Sequence, residues 1–289
     1  MQLYTINTGY FKLDGGAMFG VVPKSIWNKL NPSDENNMCP WALRSLLIED
    51  GNRRILIDNG MGDKQDAKFF GHYYLHGNDT LDSSLARHGF TRADITDVIL
   101  THLHFDHCGG SIVREGDLLV PAFPNAVYWS NEDHWKWATS PNDREKASFL
   151  KENILPIKES GQLEFIEVPE KGMDSNGLLS SIPFSENIII RFVNGHTDKM
   201  MLPQISFGGK TLVYMADLLP SVGHIPLPYV MAYDMFPLTT LQEKKSFLQE
   251  AVDKDYILYF EHDPVNECCT LHNTEKGIRP KEVCKLSEL

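Results

Sequence analysis

The sequence has little that would carry it to nucleic acid, to a membrane or out of the cell. Lys and Arg number 27 against 39 Asp and Glu, a net charge of -12, and they form no basic run. A nucleic-acid partner is therefore not expected. Apolar stretches are short. Even Asn187-Ile188-Ile189-Ile190 is closed by Arg191, so neither a membrane span nor a membrane partner is expected. The opening residues, Met1 to Ile6, carry no basic n-region and no long apolar segment, and no signal peptide is expected. The five cysteines (Cys39, Cys108, Cys268, Cys269, Cys284) are odd in number and lack zinc-knuckle spacing. That pattern suits a reducing cytoplasm better than a disulfide scaffold.

What is present supports a folded core: 42% of the 289 residues are apolar and 23% charged. No repeat or Gly/Ser linker divides the chain, so one domain over 1–289 is the simplest organisation. Residues 41–48, a turn at 49–52 and residues 54–58 predict a hairpin. Further strands are expected at 97–101, 163–168, 188–193, 204–207, 211–215 and 256–260, with a Gly208-Gly209 turn. Helical spacing marks 83–88, 131–139 and 240–253, the last with a capping box from Thr239 or Thr240 to Glu243. Polar loops are expected at 32–37 and 170–177. Strands in hairpins with helices interspersed indicate an α+β or layered α/β class.

The densest chemistry is Thr101-His102-Leu103-His104-Phe105-Asp106-His107-Cys108-Gly109-Gly110, directly after a strand. On an extended backbone, residues two apart share a face, so His102 and His104 can address one ion. Where the chain turns, Asp106 and His107 can reach a second. Imidazole and carboxylate with little thiolate suit Zn, Mn, Fe or Co. A chance H-x-H-x-D-H is expected in roughly one chain in a thousand. Four adjacent ligand-type side chains would also be costly to bury without an ion.

The motif resembles that of the metallo-β-lactamase superfamily, which implies a layered αββα sandwich of two mixed sheets flanked by helices. Asp58, His196, Asp217 and His262, each ending a β-rich run, match further positions of that family. The resemblance implies His102, His104 and His196 on one metal ion, and Asp106, His107 and His262 on a second. Asp217 would lie between the ions and Asp58 would support the loop without ligating. Zn2+ is the first expectation for both ions, with Mn2+, Fe2+ or Co2+ as alternatives. Two such ions can share a hydroxide that attacks a carbonyl or phosphoryl centre, with Asp106 carrying the proton to the leaving group.

Among the branches of this family, the sequence most resembles the N-acyl-homoserine lactonases. That implies a small-molecule lactone or ester substrate and admits a homodimer. An organophosphate triesterase or another ester hydrolase of the same fold is the alternative. The early segment Phe11 to Gly20, expected to be a loop, resembles one that contributes to the substrate pocket in this branch and its organophosphate-hydrolysing relatives. After Asp217 the chain lacks the tyrosine that helps hold the lactone carbonyl. His224 is the catalytic candidate to replace it, against a solvent-facing loop histidine, with Tyr229 and Tyr233 as weaker candidates. Met18, Phe19, Phe69, Phe70, Tyr73, Tyr74 and Leu75 are available to line an apolar groove or to fill the core. His72, His76, His88, His134 and His272 are expected to be non-catalytic.

Overall fold

In the computed structural model, which describes residues 1–175 and 177–289, the expected first hairpin forms. Asn176, inside the loop expected at 170–177, lies outside the described residues. Strands Met38–Asp50 and Arg53–Ile57 pair antiparallel, with Leu46 opposite Ile57 and Asp50 opposite Arg53. The chain divides into two units, Met1–Tyr10 with Ala42–Glu167, and Phe11–Trp41 with Val168–Leu289.

The sheet of the first unit is mixed. Its strands lie in the order Gln2–Asp14, Met38–Asp50, Arg53–Ile57, Asp97–Ile99, Val127–Ser130 and Leu163–Phe165. From Arg53–Ile57 onward the neighbours are parallel. Parallel strands share an end, so Asp58 and the His102–His107 segment emerge at the same edge of the sheet. Leu47, Leu56, Val98, Leu100 and Tyr128 are buried with Trp135, Ile154 and Ile157. The last two come from helix Lys151–Glu159, a segment without a sequence signal because Pro156 interrupts it.

The second unit carries a seven-stranded sheet: Gly277–Cys284, Cys268–Thr274, Ile257–Tyr259, Lys210–Tyr214, Met200–Phe207, Ile188–Val193 and Ser181–Pro183. Ile188–Val193 and Lys210–Tyr214 are each antiparallel to the strand between them. Lys210–Tyr214 is parallel to Ile257–Tyr259. All three therefore run the same way, and the residues following them, His196, Asp217 and His262, leave one edge of this sheet.

Helix Pro237–Asp253 buries Phe247, Leu248 and Ala251. It starts three residues earlier than expected and no side chain caps it. The expected capping box does not form. Glu243 instead accepts hydrogen bonds from the backbone N–H groups of Asn194 and Gly195, at 2.7 and 3.1 Å, and so anchors the turn before His196. Among the described residues no helix is long and apolar enough to cross a membrane.

Candidate metal centre

In the first unit the motif leaves strand Asp97–Ile99, runs extended through His104, and closes into the short helix Phe105–Cys108. Gly109 and Gly110 follow because nothing larger fits. A Cβ on Gly109 would sit 2.1 Å from the Met61 carbonyl oxygen. Asp58 organises the loop from below. It accepts from the Thr101 N–H at 2.8 Å and the Thr101 hydroxyl at 2.6 Å, and its Oδ2 lies 3.1 Å from His107 Nδ1. His134, expected to be non-catalytic, supports the same loop by accepting the Leu103 N–H at 2.9 Å. Cys108 is buried and donates to the Leu103 carbonyl, and burial pushes its thiol up to about 12, so it packs as an inert side chain.

His102, His104, Asp106 and His107 come together here, all buried. The hydrogen-bond network assigns the two leading imidazoles. Thr101 gives its proton to Asp58, so at 3.1 Å it accepts from His102 Nδ1, leaving His102 Nε2 bare. Glu145 lies 3.0 Å from His104 Nε2, which must carry the proton and leaves Nδ1 bare. The two bare nitrogens are 3.1 Å apart. Two lone pairs at that distance repel, and a cation facing both turns the repulsion into ligation. His107 Nε2 lies 3.8 Å from Oδ2 of the adjacent Asp106.

The second unit repeats this chemistry with a carboxylate. Asp217 Oδ2 lies 3.1 Å from His196 Nε2, and its Oδ1 lies 3.3 Å from His262 Nε2. Asp234 takes His196 Nδ1 at 2.8 Å, so the ring stands between two carboxylates. Burial disfavours the imidazolium, but Asp217 and Asp234 outweigh it and hold His196 up to about 10. The surroundings therefore call for positive charge. Asp217 follows Ala216, a non-glycine residue at φ +41°. Such strain clusters where a side chain must be aimed. In both units the donor set of imidazole and carboxylate fits a borderline divalent metal ion.

His224 departs from expectation. It is buried rather than solvent-facing, with Nδ1 2.8 Å from the Ser221 hydroxyl and Nε2 2.9 Å from the Met18 carbonyl. Burial pushes its pKa down to about 3, and its ring stacks on Phe19 at 4.5 Å. Both nitrogens are engaged within the protein, so it has none to offer a substrate carbonyl. The Phe11–Gly20 segment is the end of strand Gln2–Asp14 and a short helix Gly15–Phe19, not a loop. Met18 and Phe19 belong to the core.

Phe69, Phe70 and Tyr73 lie on helix Ala67–Tyr73, and the Tyr73 ring is 4.6 Å from Phe105. Burial and the nearby Asp106 charge push the Tyr73 hydroxyl up to about 12. Tyr74 and Leu75 are exposed, as is Tyr233. Glu145 and Asp234, which hold the outer nitrogens of His104 and His196, carry no sequence signal. Neither stands at a fixed spacing from its histidine.

This arrangement is that of a metal-dependent hydrolase. The chain belongs to the metallo-β-lactamase superfamily, whose family model matches residues 43–262, and it has the α+β fold of that family. Its structure is similar to a probable metal-dependent hydrolase from Staphylococcus aureus (TM-score 0.85, 26% identity, 98% of this chain and 95% of that one). It is also similar to AidC, a dizinc quorum-quenching lactonase in complex with a product (TM-score 0.77, 21% identity, 98% and 94% covered). A third similar structure is an N-acyl homoserine lactone hydrolase with N-hexanoyl-L-homoserine at its catalytic metal centre (TM-score 0.67, 19% identity, 91% and 93% covered).

Proposed function

We propose that the protein opens the lactone ring of N-acyl-homoserine lactones at a dinuclear metal centre. In this reading His102, His104 and His196 would hold one ion, Asp106, His107 and His262 would hold a second, and Asp217 would serve both. The observation that carries it is the close approach of ligand-type atoms in each unit: His102 Nε2 against His104 Nδ1, and His196 Nε2 against the Asp217 carboxylate. Bound divalent ions, Zn2+ first, would supply a water activated at neutral pH and polarisation of the scissile carbonyl oxygen.

The chain's own groups do the rest. Asp106 carries the proton from the attacking water to the departing ring oxygen on a carboxylate oxygen. Asp58 keeps His107 oriented, and Asp234 does the same for His196. Phe105 with Phe69 and Tyr73 offers apolar surface to the acyl chain. The lactone substrate is supported by the two lactonases of similar fold, AidC and the N-acyl homoserine lactone hydrolase. The odd number of cysteines, five, supports a cytoplasmic setting.

The test is a pH-indicator assay on zinc- or manganese-loaded protein, offering short- and long-chain N-acyl-homoserine lactones. Acid release that stops with chelator and with Asp106→Asn is expected. No release from protein carrying two ions would overturn the lactone substrate. Turnover of phosphotriesters or simple esters by that same protein would reassign it.

A further inference from the structure

We infer that Glu145 is a positioning residue that selects the nitrogen His104 presents to its metal ion. This rests on the metal-binding reading above. Glu145 lies outside the histidine motif and is almost fully buried, at 2% exposure. One carboxylate oxygen is 3.0 Å from His104 Nε2, and the other accepts the Trp137 indole N–H at 2.6 Å. Asn142 fixes the residue further: its side-chain oxygen accepts the Glu145 N–H at 3.1 Å, and its amide nitrogen lies 3.4 Å from Oε2. The following residues also brace the motif. Phe105 N–H donates to the Ser148 carbonyl at 3.0 Å, and the Phe149 ring lies 4.8 Å from that of His104.

The consequence is chemical. A carboxylate can only accept, so with both oxygens placed it demands a proton on His104 Nε2. The lone pair then lies on Nδ1, the nitrogen turned toward His102. His102 reaches the opposite arrangement through a neutral hydroxyl, Thr101, and presents Nε2. A charged acceptor also makes the imidazole a stronger donor to metal.

Glutamine at 145 separates this role from simple packing. The Trp137 N–H requires the amide oxygen, which turns the amide NH2 toward His104 Nε2. That NH2 stabilises the wrong tautomer and places a proton on Nδ1. Removing the indole N–H leaves that oxygen only the longer Asn142 contact, so the amide can flip back. Glu145→Gln should therefore weaken one of the two zinc ions by about 10–100-fold. Trp137→Phe added to Glu145→Gln should restore part of that loss.

Zinc affinities come from competition with a chromophoric chelator, and the cobalt-substituted absorption spectrum reports the altered site. Unchanged affinity and spectrum in a folded Glu145→Gln protein would overturn the inference and leave the metal centre standing. A loss that Trp137→Phe does not relieve would overturn the tautomer assignment. Wild-type protein that binds no zinc would overturn the metal reading and this inference together. If the variants fail to fold, imidazole 15N shifts of metal-free wild-type protein decide. A proton on Nε2 of His104 is expected, and one on Nδ1 overturns the inference.

Discussion

The two units supply ligand-type side chains in opposite ways. The first places four of them between His102 and His107, and a single turn of chain after one strand gathers them. The second takes three, His196, Asp217 and His262, from the ends of three separate strands. Strand polarity gathers these. Two antiparallel steps and one parallel step leave three strands pointing the same way. Local convergence is written in the spacing of a motif, whereas convergence by polarity exists only once the sheet has formed.

Whether both sets serve one chemistry is the sharpest test of the comparison. Asp106→Asn removes the proton carrier of the first set and should lower turnover by about 10²–10⁴-fold, with an unchanged circular dichroism spectrum. Asp217→Asn, in the second set, should lose activity on the same scale. Wild-type turnover by a folded Asp217→Asn protein would break the parallel and detach the second unit's cluster from catalysis.

A smaller effect is expected one shell out. Asp234→Ala leaves every proposed ligand in place but frees His196 Nδ1, and should weaken zinc by about 10–100-fold, measured by chelator competition. Unaltered affinity would mean that the 2.8 Å contact to Asp234 only packs the loop.

The difference between the units also decides what could be read without coordinates. His102, His104, Asp106 and His107 were legible because strand end, turn and ligand types lie close in sequence, whereas Asp58 was legible only through the family resemblance. The strands carrying His196, Asp217 and His262 were legible from their apolar runs, with boundaries shifted by a few residues. Gly208-Gly209 was legible as a turn, and Lys210 pairs with Phe207 across it. Strand Cys268–Thr274 and its partner Gly277–Cys284 were not, because only Cys268, Cys269 and Leu271 of the pair are buried and no hydrophobic alternation survives there. His224 misled because a histidine after a site loop reads the same whether it faces substrate or stacks on Phe19. Glu145 and Asp234 were invisible for the reason that makes them useful, since they reach their histidines through tertiary structure alone.

Each unit also ties a carboxylate to an arginine, and here burial sets the ranking. Burial opposes ionisation of Glu250, but hydrogen bonds from Arg191 and Lys254 outweigh it and hold its pKa below the ordinary value. Asp97 is lowered in the same way, burial being outweighed by hydrogen bonds from Arg53, Thr96 and Trp129. Side-chain exposure is 5% and 2% in the Arg191–Glu250 pair, against 32% for Arg53 and 8% for Asp97. Arg191→Met removes the bidentate partner of a buried carboxylate, leaving it Lys254 and Tyr256, and should cost up to about 3–5 kcal/mol. Arg53→Met leaves Asp97 its Trp129 and Thr96 donors and some water, and should cost about 1 kcal/mol or less. Both pKa values are lowered by folding, so each contribution is present above the ordinary carboxylate value of about 4. Each is lost as pH falls through the lower folded value. Urea midpoints at pH 7 and pH 3 should show the Arg191→Met deficit shrinking in acid. A deficit that grew there would reverse the assigned sign.

The smallest effect isolates backbone from packing, at the turn joining Met200–Phe207 to Lys210–Tyr214. Gly208 has φ +54°, and a Cβ built there would meet nothing within 4 Å. Gly208→Ala therefore carries no steric contact term. Left-handed backbone costs a non-glycine residue about 1–2 kcal/mol. Alanine also restricts the unfolded chain, which returns about 0.4–1 kcal/mol. The two act on different states and the first is larger, so a net loss of about 0.5–1 kcal/mol is expected, read from the urea midpoint at constant slope. Turnover should not change, because this turn lies at the end of the Lys210–Tyr214 strand opposite the one that carries Asp217. A Gly208→Ala protein with altered zinc affinity would show that the register of this hairpin, and not only the polarity of its strands, sets the position of the Asp217 carboxylate.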